Sequence, residues 1–161
     1  QHTTQRISSD AIEPLALKPE HVEVIRNAMH GVTVEGTSAK VFAGASYSSG
    51  GKTGTAQAVG LRAGEKYSSV KADEHKRDHS LYVAFAPTDN PTIALAVIVE
   101  NAGWGSGSAA PIARRVFDYW LSGQYPTDED LAAVRKGQAM APLGKPRDAK
   151  EVPWPRVPLP N

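Results

Sequence analysis

The chain has 161 residues, 40% of them apolar, which is enough for one modest core and too little for several domains. Eighteen basic against seventeen acidic side chains leave a formal charge of +1, so no long-range field favours nucleic acid or an anionic membrane. The absence of cysteine excludes disulfides and thiolate metal sites, and it leaves the compartment open.

The N-terminal QHTTQRISSD lacks a signal-peptide pattern, and the longest apolar run, IALAVIV at 93–99, is far too short to cross a bilayer. Any targeting signal or anchor is therefore expected outside this chain. In LKPEHVEVIRNAMHGV, a proline suited to a first helical turn precedes Val22, Ile25, Met29 and Val32 at helical spacing, which predicts an amphipathic helix over 19–31. His21 and His30 on it read as surface or cap residues, because no second ligand stands at a metal-binding spacing.

SYSSGGKTGTAQAVG, residues 46–60, carries two overlapping signals. Gly51-Lys52-Thr53 could end a phosphate-binding loop, yet counting back places Ser46 where that loop needs its first glycine. Such a loop must also open a helix toward the phosphates, and GTAQAVG is poor helix material. Alternatively, Lys52-Thr53-Gly54-Thr55 lies on a strand of about 50–59 and grips a carboxylate. Lysine supplies the positive charge, threonine hydroxyls donate, and glycine removes the side chain that would block a ligand backbone. Alternation sends Lys52 and Gly54 to one face and Thr53 and Thr55 to the other, so the strand must offer its edge. An edge strand can take up a peptide by β-addition, and the Thr55 N–H can stabilise an oxyanion.

Residues 61–80 are dense in charge and predict a long solvated excursion with a short helix near 72–78. SLYVAFAP, a TDNP turn and TIALAVIVEN then predict a hairpin whose second strand is central and buried. With the strand at 50–59 this makes a three-stranded antiparallel meander. A helix over 108–122 carries Ile112, Val116, Phe117 and Trp120 on a sheet-facing stripe, Arg114 and Arg115 off it, and Gly123 at its end. Tyr119 and Trp120 are assigned to that helix's core. TDEDLAAVRKG predicts a short helix capped by Thr127. The proline-rich end reads as an extended or disordered tail rather than a proline-motif ligand, with Trp154 packing it on the body. The fold class is thus α/β of the α+β type, an antiparallel sheet packed against helices. A body at 1–123 precedes a short helix and tail at 124–161.

KTGTAQ on a strand, an excursion ending RDH, a strand ending FAP, an apolar strand ending VEN-x-G and a closing helix together resemble the C-terminal part of a class B penicillin-binding protein transpeptidase, with a serine β-lactamase-like fold. The resemblance covers roughly residues 10–122 and points to the branch serving Gram-negative cell elongation. It implies serine acyl transfer at the periplasmic face of the inner membrane, on a peptidoglycan stem peptide ending in D-Ala-D-Ala, with no metal and no cofactor. β-Lactam antibiotics would acylate the same serine, and a SEDS-family glycosyltransferase with other elongation proteins would be partners. By position, Lys52 would attract the terminal carboxylate and tune the proton relay. Thr53 and Thr55 hydroxyls would bind that carboxylate, Gly54 would leave room, the Thr55 amide would form half of the oxyanion hole, and Gln57 would contact the peptide.

The family's nucleophile opens a helix as S-x-x-K, followed by S-x-N. Here Ser49-Gly50-Gly51-Lys52 overlaps the strand motif, and Ser68-Ser69-Val70-Lys71 lies in the polar excursion without a stripe to bury its lysine. Thr88-Asp89-Asn90 matches S-D-N in letters only, since it fills a turn before Pro91. The chain is expected to supply one wall of a site whose serine lies on another segment. A nucleotide-binding protein and a non-catalytic peptidoglycan-binding module are the alternatives. Asp78 and His79 are read as ordering the loop, and Trp104 as either a groove residue or an ordinary packing residue.

Overall fold

The computed structural model describes residues 15–152 except 61–62, 65, 67, 69–72 and 139. Pro19 opens helix α1, Pro19–Val34, three residues longer than predicted. Its stripe is displaced from the expected burial. Ile25 is 60% exposed and Thr33 is the buried residue, because α1 meets the body through its last turns. There the His30 ring N–H and the Thr33 hydroxyl both donate to the Ser49 carbonyl, at 2.9 and 2.7 Å. A one-turn helix α2, Ala39–Phe42, follows and buries Val41 and Phe42.

Three antiparallel strands form the sheet in the order β1 (Gly50–Ala56), β2 (His79–Ala86), β3 (Ile93–Val99), as the meander predicts. The expectation of a central β3 fails: β2 is central, and β3 is an edge of the described sheet. Its apolar run alternates between half-buried and exposed positions, with Ile98 65% exposed, because among the described residues only one face of β3 carries a layer. On that covered face Tyr82, Ala84 and Ala86 are buried, with Leu95 and Val97 packed beside them.

The covering helix, α3 (Ala109–Ser122), ends at Gly123, whose φ of 62° is the left-handed C-cap that glycine adopts without strain. Its buried face matches the predicted stripe only at Phe117. Ala109, Ala110, Ala113 and Phe117 meet the sheet, while Val116 and Trp120 are exposed, Trp120 by 61%. Tyr119 is exposed as well, so the assignment of Tyr119 and Trp120 to the core is corrected. Alanines let the helix approach closely, and the two arginines placed off the stripe are buried because each has an anion. Arg114 Nε binds both Asp118 oxygens at 2.8 and 3.0 Å, and its Nη1 donates to the Val41 and Ala43 carbonyls. Arg115 makes a two-pronged bond to Asp130, with Nε–Oδ2 at 2.8 Å.

Asp130 sits on α4, Asp128–Arg135, whose N-cap is the predicted one: the Asp130 N–H donates to Thr127 Oγ1 at 3.1 Å. The two-residue strand β4, Gln124–Tyr125, pairs with β5, Arg147–Asp148. The proposed boundary near residue 123 therefore falls at the αL turn between α3 and β4.

Removing one partner of a buried pair strands the other charge. Asp130→Ala is expected to cost about 3–5 kcal/mol in urea unfolding, whereas Asp128→Ala, whose partner Arg147 is on the surface, costs at most about 1 kcal/mol. The Tyr47 hydroxyl donates to Asp118 Oδ1 at 2.8 Å, and burial first, then the Asp118 carboxylate, pushes its pKa far above the ordinary value of 10.0. A raised folded pKa gives stability that is complete below the unfolded value and is lost as pH rises beyond it. The urea midpoint should therefore fall above about pH 10, and Tyr47→Phe should flatten that fall while lowering stability at neutral pH.

Candidate active site

The motif residues lie where an edge is open. Among the described residues β1 bonds to a strand, β2, along one side only, and Lys52, Thr53, Gly54 and Thr55 occupy its middle. Register pairs Lys52 with Val83 and Gly54 with Leu81 on one face, and Thr53 with Tyr82 and Thr55 with Ser80 on the other. The two faces divide as alternation predicts. Lys52 and Thr55 are exposed, Thr53 and Gly54 are half-buried, and Gln57 stands exposed just past the strand. The Lys52 ammonium bends across to donate to the Thr53 carbonyl at 2.7 Å, so its charge sits beside the threonines despite leaving from the opposite face. Thr53 Oγ1 lies 3.3 Å from Thr37 Oγ1.

Residues 50–56 form a strand, with no helix opening at Thr53, which removes the geometry a phosphate loop requires. Ser49 is buried at the entry to β1 with its carbonyl held by α1, so Ser49 and Lys52 are not a helical pair. Ser68 is exposed, and Lys71 lies outside the described residues. Thr88-Asp89-Asn90 is the turn between β2 and β3, where the Thr88 N–H donates to Ser48 Oγ. Among the described residues, no group of His, Cys, Asp and Glu is arranged to hold a metal ion.

The strand is held by residues outside the K-T-G motif. Glycine at 50 and 51 lets the rings of Phe85 and Tyr82 lie directly over the β1 backbone, where a Cβ would collide with them. Behind Gly54, the backbone of Gly105 comes so close that a Cβ there would lie 2.7 Å from the Gly54 carbonyl oxygen. This loop is fixed by Ser80, whose hydroxyl donates to the Trp104 carbonyl and accepts the Ala109 N–H, both at 3.0 Å. Trp104 itself projects its side chain to solvent, 74% exposed, so the packing alternative for it is not observed.

The excursion's return is fastened to the same end of the sheet. A 3-10 turn at Glu74–Lys76 replaces the predicted helix near 72–78. Lys76 bonds Asp73 and holds that carboxyl below its ordinary pKa. Asn101 adopts a φ of 52°, a left-handed conformation that asparagine tolerates better than most residues. Its Nδ2 donates to the His75 and Arg77 carbonyls, and its N–H donates to His79 Nδ1, which fixes the ring proton on Nε2 when the ring is neutral. Asp78 accepts the Ala58 N–H at its carboxylate and the Gly103 N–H at its carbonyl. Asp78 and His79 thus order the loop, as predicted. VEN-x-G and RDH were visible as letters; their pairing across more than twenty residues was not.

A sequence model described as the penicillin binding protein transpeptidase domain matches residues 1–118. The chain is 43% identical over 109 residues to the peptidoglycan D,D-transpeptidase MrdA of Haemophilus influenzae and 42% identical over 108 residues to MrdA of Escherichia coli K12, in each case 66% of this chain and 17% of the relative. It therefore spans about a sixth of the length of these relatives. The crystal structure of Pseudomonas aeruginosa PBP2 in complex with WCK 5153 superposes with a TM-score of 0.58 at 37% identity, over 73% of this chain and 23% of that one. With its mixed helices and antiparallel sheet, the chain belongs to the penicillin-binding protein transpeptidase domain family.

Proposed function

We propose that this chain is the K-T-G wall of a peptidoglycan D,D-transpeptidase that cross-links stem peptides through a serine acyl-enzyme. The carrying observation is Lys52-Thr53-Gly54-Thr55 on the open edge of an antiparallel sheet, in a chain of this family. A stem peptide ending in D-Ala-D-Ala lies along the edge as an added strand. Lys52 attracts its terminal carboxylate, and the hydroxyls of Thr53 and Thr55 donate to it. Gly54 leaves the ligand backbone room, and Gln57 contacts the peptide beyond the strand. Every second amide of an edge strand points away from the sheet, and the Thr55 N–H is assigned to that set as half of the oxyanion hole.

The serine attacks the penultimate D-Ala carbonyl, and its proton passes through the lysine relay to the departing amine as terminal D-Ala leaves. An amine from a neighbouring strand then attacks the ester, gives up its proton and frees the serine. A β-lactam presents the same carboxylate and carbonyl and stops at the acyl-enzyme.

The serine, its lysine and the S-x-N element are assigned to another segment of the polypeptide. Two facts support this: neither S-x-x-K match lies on a described helix with its lysine, and α1 and the outer sheet face leave Ile25 and Ile98 without a covering layer among the described residues. The working location is the periplasmic face of the inner membrane, with the anchor elsewhere, and the working partners are a SEDS-family glycosyltransferase and other elongation proteins. No described helix is long and apolar enough to cross a membrane.

Fluorescent penicillin provides the test. The isolated chain should show no covalent labelling, and stoichiometric labelling of it would place the nucleophile here after all. In the full polypeptide, Lys52→Ala should slow acylation by about two to three orders of magnitude, as loss of a desolvated charge partner does. Thr55→Ala should slow it by about 10- to 100-fold, the worth of one hydrogen bond to an anion. A full polypeptide that never labels would favour the non-catalytic peptidoglycan-binding module.

A further inference from the structure

Thr37 lies on the turn between α1 and α2, outside the K-T-G motif, yet its hydroxyl stands against that motif. Its Oγ1 is 3.3 Å from Thr53 Oγ1, although the two residues are 16 apart in sequence. The turn holds it there. The Gly36 N–H donates to the Gly31 carbonyl at 2.9 Å, and a Cβ at residue 36 would lie 2.7 Å from the Val32 Cα, so the chain folds tightly back over the end of α1. Beside Thr37, Ser38 is fully buried, and its N–H and its hydroxyl both donate to the Val32 carbonyl at 3.1 Å. With that hydroxyl proton committed, the Tyr82 phenol is the donor to Ser38 Oγ at 2.9 Å. Tyr82 is the cross-strand partner of Thr53, so one central ring fixes the turn over the face of β1 that carries the Thr53 hydroxyl.

A threonine hydroxyl has one proton to give and can accept at its lone pairs. In the free chain either threonine can supply the proton between them, and 3.3 Å is long for an O–H···O bond. A carboxylate removes that choice, because an ionised carboxyl group only accepts. Once Thr53 gives its proton to the anion, the proton between the two oxygens must come from Thr37. That proton occupies a Thr53 lone pair and turns the Thr53 O–H away from Thr37, and each bond in the relay polarises the next. Hydrogen bonds at such sites are often long in the free protein and tighten when the ligand is in place.

We propose that Thr37 is a positioning residue of the transpeptidase: its hydroxyl donates to Thr53 Oγ1 and so aims the Thr53 proton at the terminal carboxylate of the stem peptide or of a β-lactam. The assignment rests on the carboxylate-binding reading of K-T-G. Thr37 acts through Thr53 and does not itself hold the ligand. Its contribution is therefore confined to the complex with the anion, and the exposed hydroxyl adds little to the stability of the free chain.

The test is acylation of the full polypeptide by fluorescent penicillin, run as a double-mutant cycle with Thr53. Thr37→Val removes the hydroxyl and keeps the branched shape, and it should lower the second-order acylation rate about 3- to 10-fold, the worth of one neutral hydrogen bond. Thr37→Ala should repeat the loss, and Thr37→Ser, which keeps the hydroxyl, should restore most of the rate. Circular dichroism should stay unchanged in all three, because residue 37 is exposed. In a Thr53→Val background, Thr37→Val should have no further effect. An undiminished rate in Thr37→Val would overturn the proposal and leave the K-T-G reading standing as long as Thr53→Val is slow. A loss that persists in full in the Thr53→Val background, or one that serine does not restore, would overturn it too, since Thr37 would then act by another route than Thr53. Thr53→Val labelled at the normal rate would sink both this assignment and the reading beneath it.

Discussion

The arrangement of this chain depends on one ring. Tyr82 is fully buried in the central strand and lies across the Gly51 backbone, stacks on Phe42 with centroids 6.2 Å apart, and has its hydroxyl 2.9 Å from Ser38 Oγ. Phe42 in turn contacts Phe117, so β1, β2, α2 and α3 all meet around it. Burial raises the Tyr82 pKa, so the phenol stays neutral and bonds as one. A side chain at residue 51 would push the K-T-G strand off this ring. The glycines before the motif are therefore as much a part of the proposed site as the lysine that follows.

An edge strand with a ligand-binding role must be rigid while leaving half its hydrogen bonds unmade. Here that rigidity comes from the covered side and the ends. Gly105 supports Gly54 from behind, α1 holds the Ser49 carbonyl at the entry, and Asp78 holds the Ala58 amide at the exit. Asn101 gathers the returning excursion through two carbonyls and one ring nitrogen, at the expense of a left-handed backbone. Fixed in this way, the outward groups of β1 would need little reordering to receive the proposed peptide, and electrostatic catalysis depends on such preorganisation.

What could be read from the sequence was local. Pro19 starting α1, Thr127 capping α4, Gly123 ending α3 and K-T-G on an edge each rest on chemistry within a few residues. What could not be read was which face of an element meets which partner. Arg114 and Arg115 read as lying off the sheet-facing stripe, and their charge is costly to bury alone. Asp118 four residues on and Asp130 fifteen residues on reverse that cost, and only the fold shows the second of these. Val116 and Trp120 read as core because they are apolar, but the sheet accepts alanine where the helix comes close. For β3 the apolar run suggested two covered faces, and the described residues cover one. On the K-T-G strand the motif residues were legible as letters, while Asn101, Gly105 and Ser80, which hold the strand and its surrounding loops, act across gaps that no short pattern spans.

The Arg115–Asp130 pair also explains how a short appendage can attach to α3 and still leave its outer face open. Asp130 is fully buried, accepts both prongs of Arg115 and also accepts the Leu143 N–H at 2.9 Å, so one carboxylate fixes α4 and the chain beyond it. Had the attachment been made by apolar packing, α4 would have had to lie flat on Val116 and Tyr119. A buried ion pair adds little net stability compared with apolar packing of the same volume, yet it strongly penalises any placement in which its charges part. The appendage is thus specified in position more than it is stabilised. It leans on one charged point, and the apolar surface on either side of that point stays open as a groove.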